Sequence, residues 1–243
     1  MDWKSAYRSF YYENAAEVPD IELCPHETAL LVIDMQNEYL RRPLRETLTP
    51  EQQRDWDRWT PFFRRIHDTV IPNTRKLLAS FRSHNRDVLF ARIACLRADG
   101  RDRSLSQRRP GWNNLLMPVG SERAEIVSEL RPGPSEIVVT KTTDSALTGT
   151  NLRLILTNLA IKNVVVTGVF TDQCVSSTVR SLADESFNVV VAEDCCAAGT
   201  EELHRHELQV INNIYCQVMS SDDVMDIMDR KDVAQRVKTA TVS

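Results

Sequence analysis

Three residues sit where chemistry could collect. Asp34 closes the apolar run ALLVI at 29–33, Lys141 closes EIVVT at 136–140, and Cys174 follows VVVTGVFTDQ at 164–173. A carboxylate placed directly after an apolar run is costly to bury unless something uses its charge. Taken singly, Asp34 reads as a helix N-cap or buried structural Asp, and Lys141 as a solvated side chain. Cys174 reads as either a small buried hydrophobe or a reactive thiol. Helical spacing begins near Cys174, which turns it toward the positive end of a helix macrodipole and favours the thiolate. Together the three supply an acid, a cation and a nucleophile, the set that nucleophilic catalysis requires.

The usual cofactor signatures are missing from the sequence. With seven glycines there is no G-x-G-x-x-G, no P-loop and no G-x-S-x-G elbow, and neither H-x-x-x-H nor a paired C-x-x-C occurs. His204 and His206 form an H-x-H whose side chains diverge on a helix, so they are expected to be surface residues and no metal is expected. Six cysteines in 243 residues do not suggest a disulfide scaffold, and thiols in a reducing cytoplasm are the better reading.

The elements that must position these residues are legible from patterning. Near-continuous β-branched runs at 29–34, 87–93, 136–141, 163–168 and 188–193, with a weaker one at 215–219, predict parallel strands covered on both faces. Helical spacing intervenes at 71–82, 151–159, 175–187 and 201–214. The alternation predicts one α/β domain, a three-layer doubly wound (Rossmann-like) fold, with chemistry where strands end and helices begin. Residues 1–27 read as an arm wrapping the domain or a partner subunit. The stretch 41–69, with Trp56, Trp59, Phe62 and Phe63, reads as a helical insertion or lid.

A net charge of −4 without a basic block argues against nucleic acid. Hydrophobic residues at 42% and charged ones at 26% exclude wholesale disorder. No apolar run approaches the ~20 residues that span a bilayer, and no apolar signal region follows Met1. A cytoplasmic protein acting on a small molecule is expected.

Three blocks carry a resemblance: ALLVIDMQNEYL, KTTDSALTGTNLRLIL and VVVTGVFTDQCVSSTVRSLADESFNVVVAEDCCAAGT. They are similar to the D-x-Q-N, K-x-x-x-S-A-F-x-G-T-x-L and T-G-x-x-T-x-x-C-V-x-x-T blocks of the isochorismatase-like superfamily of cysteine hydrolases. Leu147 stands where Phe is common. The resemblance spans about residues 28–230 and implies a six-stranded parallel sheet with Asp34, Lys141 and Cys174 as catalytic triad. It also implies a cis peptide at Val169–Phe170 and an oxyanion hole from the Phe170 and Cys174 N–H groups. Nicotinamidases of the superfamily hold a metal with a D-x-H cluster after the first strand, and none follows Asp34. Isochorismatases proper lack the cysteine.

The expectation is a metal- and cofactor-independent amidohydrolase of small linear amides or ureido compounds, working through a thioester as a homodimer or homotetramer. A non-amide hydrolase and a non-catalytic binding protein of the same fold are the alternatives. Gln36, Tyr39, Arg92, Trp112 and Gln173 are candidate substrate contacts. Arg92 reads equally as a surface ion pair, and Gln36 as an anchor for Asp34 or for backbone groups.

Overall fold

Strands without polar alternation need cover on both faces, and the computed structural model provides it. It describes residues 3–16, 21–111 and 114–230. Six parallel strands, β1 (Thr28–Ile33), β2 (Asp87–Ile93), β3 (Ile137–Lys141), β4 (Asn163–Val169), β5 (Asn188–Ala197) and β6 (Gln217–Met219), lie in the order β3-β2-β1-β4-β5-β6. The order reverses between β1 and β4, the switch point at whose carboxyl ends ligands of doubly wound sheets collect.

The helices are α1 (Asn37–Leu40), α2 (Pro50–Arg58), α3 (Thr60–Arg65), α4 (Ile71–Ser83), α5 (Leu152–Asn158), α6 (Ser176–Asp184), α7 (Glu201–Ile211) and α8 (221–230). Because side chains alternate along a strand, β1 divides its apolar residues between two cores. Leu30 and Val32 meet Leu77, Leu78 and Phe81 of α4 together with Val224 and Met228 of α8. Ala29, Leu31 and Ile33 meet Leu152 and Leu156 of α5, Val179 and Leu182 of α6, and Leu208 and Ile211 of α7. The result is the expected three-layer fold.

Several boundaries differ from the sequence reading. β5 runs on to Ala197 through Glu193 and Asp194, past a register shift against β4 between Val166 and Gly168. Those two carboxylates break the apolar run yet have partners: Arg65 for Glu193, and the Ser221 N–H and Oγ–H for Asp194. α7 stops at Ile211 rather than 214, because Asn212 turns extended and its Oδ1 accepts from Val218 N–H at 3.0 Å. The stretch 41–69 is largely helical, with a capping box of Thr49 and Gln52 opening α2 and a π-helical turn at Ile66–Val70 leading into α4. The described part of the N-terminal arm lies on its own domain. Trp3 packs on the first core and Tyr7 on the second, while Asn212 Nδ2 donates to the Ala6 and Tyr7 carbonyls at 3.2 and 3.3 Å. No helix among the described residues is long and apolar enough to cross a membrane.

Candidate active site

β1 and β4 are neighbours, so Asp34 and the turn carrying Cys174 leave the sheet side by side. Ile33 pairs with Gly168, whose φ is +126° and whose notional Cβ would lie 2.0 Å from the Ile33 carbonyl oxygen. Only glycine permits this approach. Asp34 itself adopts φ +51°, an uncommon conformation for a non-glycine residue and one that turns the chain off the strand. The Val169–Phe170 peptide is cis, as the resemblance implies. A π-helical turn at Thr171–Val175 then precedes α6, so Cys174 lies within the first turns of a helical segment.

Lys141 ends β3, which is separated from β1 by β2. Two strand spacings, roughly 10 Å, lie between their backbones, and the long lysine stem crosses this gap. Its Nζ lies 2.7 Å from Asp34 Oδ2 and donates to Cys174 Sγ at 3.3 Å and to the Thr143 carbonyl at 3.2 Å. Lys141 and Asp34 are 0% and 1% exposed. The structure therefore brings Asp34, Lys141 and Cys174 together although β3 does not adjoin β1.

Burial dominates the electrostatics. It pushes the Asp34 carboxyl above the usual carboxylate range, against the pull of the Lys141 ammonium. Burial also opposes the charge on Lys141, but the Asp34 and Cys174 groups outweigh it and hold the lysine pKa up. Cys174 is pushed well above the ordinary thiol value by burial first and the Asp34 charge second, with Lys141 opposing. This corrects the expectation that the helix terminus favours a thiolate. Desolvation and a carboxylate at close range outweigh a partial dipole charge and push the sulfur toward the thiol form.

Asp34, Cys174, Tyr39, Ile93, Val169, Phe170 and Gln173 line a cavity of about 40 Å³, closed by Gln107, Leu115 and Asp144. Tyr39, Leu115, Phe170 and Gln173 also line a groove of about 750 Å³ walled by Trp59, Phe62 and Phe63 of the insertion. Phe170 is the hub of that wall, its ring centroid 5.6, 6.1 and 5.2 Å from those of Tyr39, Trp59 and Phe62. The Phe170 N–H has no hydrogen-bond partner among the described residues.

Other candidate contacts are placed differently. Gln36 is wholly buried, and its amide clamps backbone: Nε2 donates to the Ile93 and Ala124 carbonyls and Oε1 accepts from Ile93 N–H, each at 2.9 Å. Arg92 pairs with Glu125 at 2.9 Å and does not line either space. Tyr39 and Gln173 do line them. Trp112 lies outside the described residues. His204 is not on the surface as expected. It is 1% exposed, with Nδ1 2.8 Å from Thr171 Oγ1 and Nε2 2.8 Å from Arg65 Nη2, and so braces the turn that carries Cys174. Its H-x-H spacing gave no hint of this, because burial of that face depends on α7 packing behind the turn. Cys195 and Cys196 are buried free thiols. Among the described residues no three His, Cys, Asp or Glu are grouped to hold a metal ion.

The sequence reading passed over Asp144 and Gln107. Asp144 Oδ1 accepts from Gln107 Nε2 at 2.8 Å and from the Cys174 thiol at 3.8 Å. The only sequence signal was a carboxylate three residues after Lys141 within the second block.

The chain is 30% identical over 225 residues to the ureidoacrylate amidohydrolase RutB of Pseudomonas syringae pv. syringae, covering 87% of each chain. It is 27% identical over 167 residues to the N-carbamoylsarcosine amidase of an Arthrobacter species, covering 67% of this chain and 62% of that one. The N-carbamoylsarcosine amidase of Thermoplasma acidophilum superposes with a TM-score of 0.61 at 25% identity, covering 81% of this chain and 97% of that one. A cysteine hydrolase from Pseudomonas syringae pv. phaseolicola shares the fold, with a TM-score of 0.73 at 19% identity over 89% of this chain and 99% of that one. The Isochorismatase domain family matches residues 28–223, from the first strand to the start of the last described helix, and the chain belongs to that family of hydrolases.

Proposed function

We propose that the protein is a metal-independent cysteine amidohydrolase that cleaves a C–N bond of a small linear amide or ureido compound, with Asp34, Lys141 and Cys174 as its catalytic triad. One observation carries this reading: the Cys174 sulfur lies 3.3 Å from Lys141 Nζ, which in turn lies 2.7 Å from Asp34 Oδ2, beside a cavity. Similarity to an amidohydrolase and an amidase supports the choice of bond.

In this reading Asp34 accepts the thiol proton as the sulfur attacks the carbonyl carbon. Burial raises its pKa above the usual carboxylate range, in the direction that suits a group that must both take and return a proton. Lys141 stabilises the charge that moves between carboxylate and sulfur. The oxyanion forms against the N–H groups of Phe170 and Cys174, and one such donor is typically worth ~3 kcal/mol of barrier. The tetrahedral adduct collapses to a thioester as the C–N bond breaks, with Asp34 protonating the departing nitrogen. Water, deprotonated by the same carboxylate, then hydrolyses the thioester and regenerates the thiol.

The test is ammonia release from a panel of ureido and carboxamide compounds, with and without a chelator. Cys174→Ala and Cys174→Ser are expected to lose turnover by about 10⁴-fold or more while keeping the wild-type circular dichroism spectrum. Intact-protein mass spectrometry of the wild type should trap an acyl adduct on Cys174. Near-normal hydrolysis by Cys174→Ala would overturn the mechanism.

A further inference from the structure

We propose that Asp144, held in place by Gln107, is a specificity-determining residue that admits substrates presenting N–H donors beside the scissile carbonyl and rejects those carrying a carboxylate there. The inference rests on the amidohydrolase reading and deepens it, because that reading leaves the charge of the substrate open.

The Lys141 ammonium is already engaged. Lys141 Nζ lies 2.7 Å from Asp34 Oδ2, its ion-pair partner, and donates to the Thr143 carbonyl and to Cys174 Sγ. No Lys, Arg or His lines the inner cavity. Two carboxylates do, Asp34 and Asp144. Asp34 has its counter-ion at 2.7 Å, whereas Asp144 has none among the described residues. Its Oδ1 accepts from Gln107 Nε2 and from the thiol, and its Oδ2 has no hydrogen-bond partner among the described residues. Gln107 is 9% exposed, so the amide that orients Asp144 is itself held by packing.

An acceptor so placed, 3.8 Å from the nucleophilic sulfur, lies beside any carbonyl that the sulfur attacks. Ureido nitrogens match it as donors. A substrate carboxylate at that position would face the Asp144 charge, with the nearby Lys141 ammonium already paired to Asp34, and like-charge juxtaposition is a strong source of discrimination. Arg58 lines the outer groove only, so it cannot neutralise a carboxylate seated in the inner cavity.

The experiment uses two compounds of nearly equal shape, N-carbamoylglycinamide and N-carbamoylglycine, which differ in charge. Their consumption is followed by chromatography with wild type, Asp144→Asn and Asp144→Ser. The wild type should favour the neutral amide by about 100-fold or more in kcat/KM, and both variants should narrow that preference to about tenfold or less. An unchanged preference in the variants, or equal use of both compounds by the wild type, would overturn the proposal.

If the wild type consumes neither compound, the amidohydrolase reading has failed for them, and selectivity is read instead from protection of Cys174 against iodoacetamide. The amide should then protect at a far lower concentration than the acid in wild type, and at a similar one in the variants. Equal protection, or none by either compound, overturns the inference.

Discussion

At the scale of single residues, the site turns on one buried ion pair and a thiol beside it. Removing one member of such a pair leaves the other charge uncompensated, at about 3–5 kcal/mol. Asp34→Asn should therefore lower stability to chemical denaturation by roughly that amount, and it should also act on the sulfur. The Asp34 charge helps to hold the Cys174 thiol up, and Lys141 pulls it down. With the carboxylate gone its raising influence is lost and the lowering pull of Lys141 stays, while burial continues to hold the thiol up. The midpoint of the pH dependence of Cys174 alkylation by iodoacetamide should fall, while hydrolysis is lost. A midpoint that rises, in protein with a native near-ultraviolet spectrum, would contradict the charge assignment. The candidate roles of Asp34, Lys141 and Cys174 were legible as residue types after strand-like runs. Those of Asp144, Gln107 and His204 were not, since each depends on a neighbour more than 25 positions away: Gln107 for Asp144, Asp144 for Gln107, and Thr171 for His204.

At the scale of elements, the contact between β1 and β4 places the nucleophile turn. Gly168 permits it, and Gly168→Ala would drive a methyl group into the Ile33 carbonyl at a backbone angle that L-residues avoid. A loss of at least about 3 kcal/mol in unfolding free energy is expected, with turnover lost as well. Denaturant titration checks the first and ammonia release the second. Near wild-type stability would mean that the two strands can separate freely at their carboxyl ends. The strands and the helix faces could be read from apolar periodicity because both sheet faces are covered. Their ends could not. Glu193 and Asp194 read as a strand end until Arg65, Ser221 and a register shift are seen to accommodate them. Likewise the aromatic insertion reads as a lid or a contact surface, and only its packing on Phe170 makes it a wall of the groove.

At the scale of the whole molecule, the N-terminal arm is tied to the turn that follows α7. Tyr7 packs on the second core, and its phenol is pushed up to about 12 by burial and then by Glu193. Removing residues 1–12 takes away two hydrogen bonds to Asn212 and cover for both cores. The expected loss is about 2–3 kcal/mol, or roughly 5–10 °C in the melting temperature of a chain this size. Calorimetry of the shortened protein checks this, and an unchanged melting temperature would show the arm to be dispensable for the fold.

The amino-acid sequence by itself determined the layered α/β architecture, through buried β-branched runs and helical stripes. It also determined which three groups have the chemistry for nucleophilic attack. Tertiary structure alone decided that a lysine two strands away reaches the carboxylate, that burial pushes the sulfur toward the thiol, and that a second carboxylate faces it. Periodicity and residue type are local properties of the chain. Desolvation and charge–charge distance are properties of a closed space, and that space exists only after the sheet has assembled.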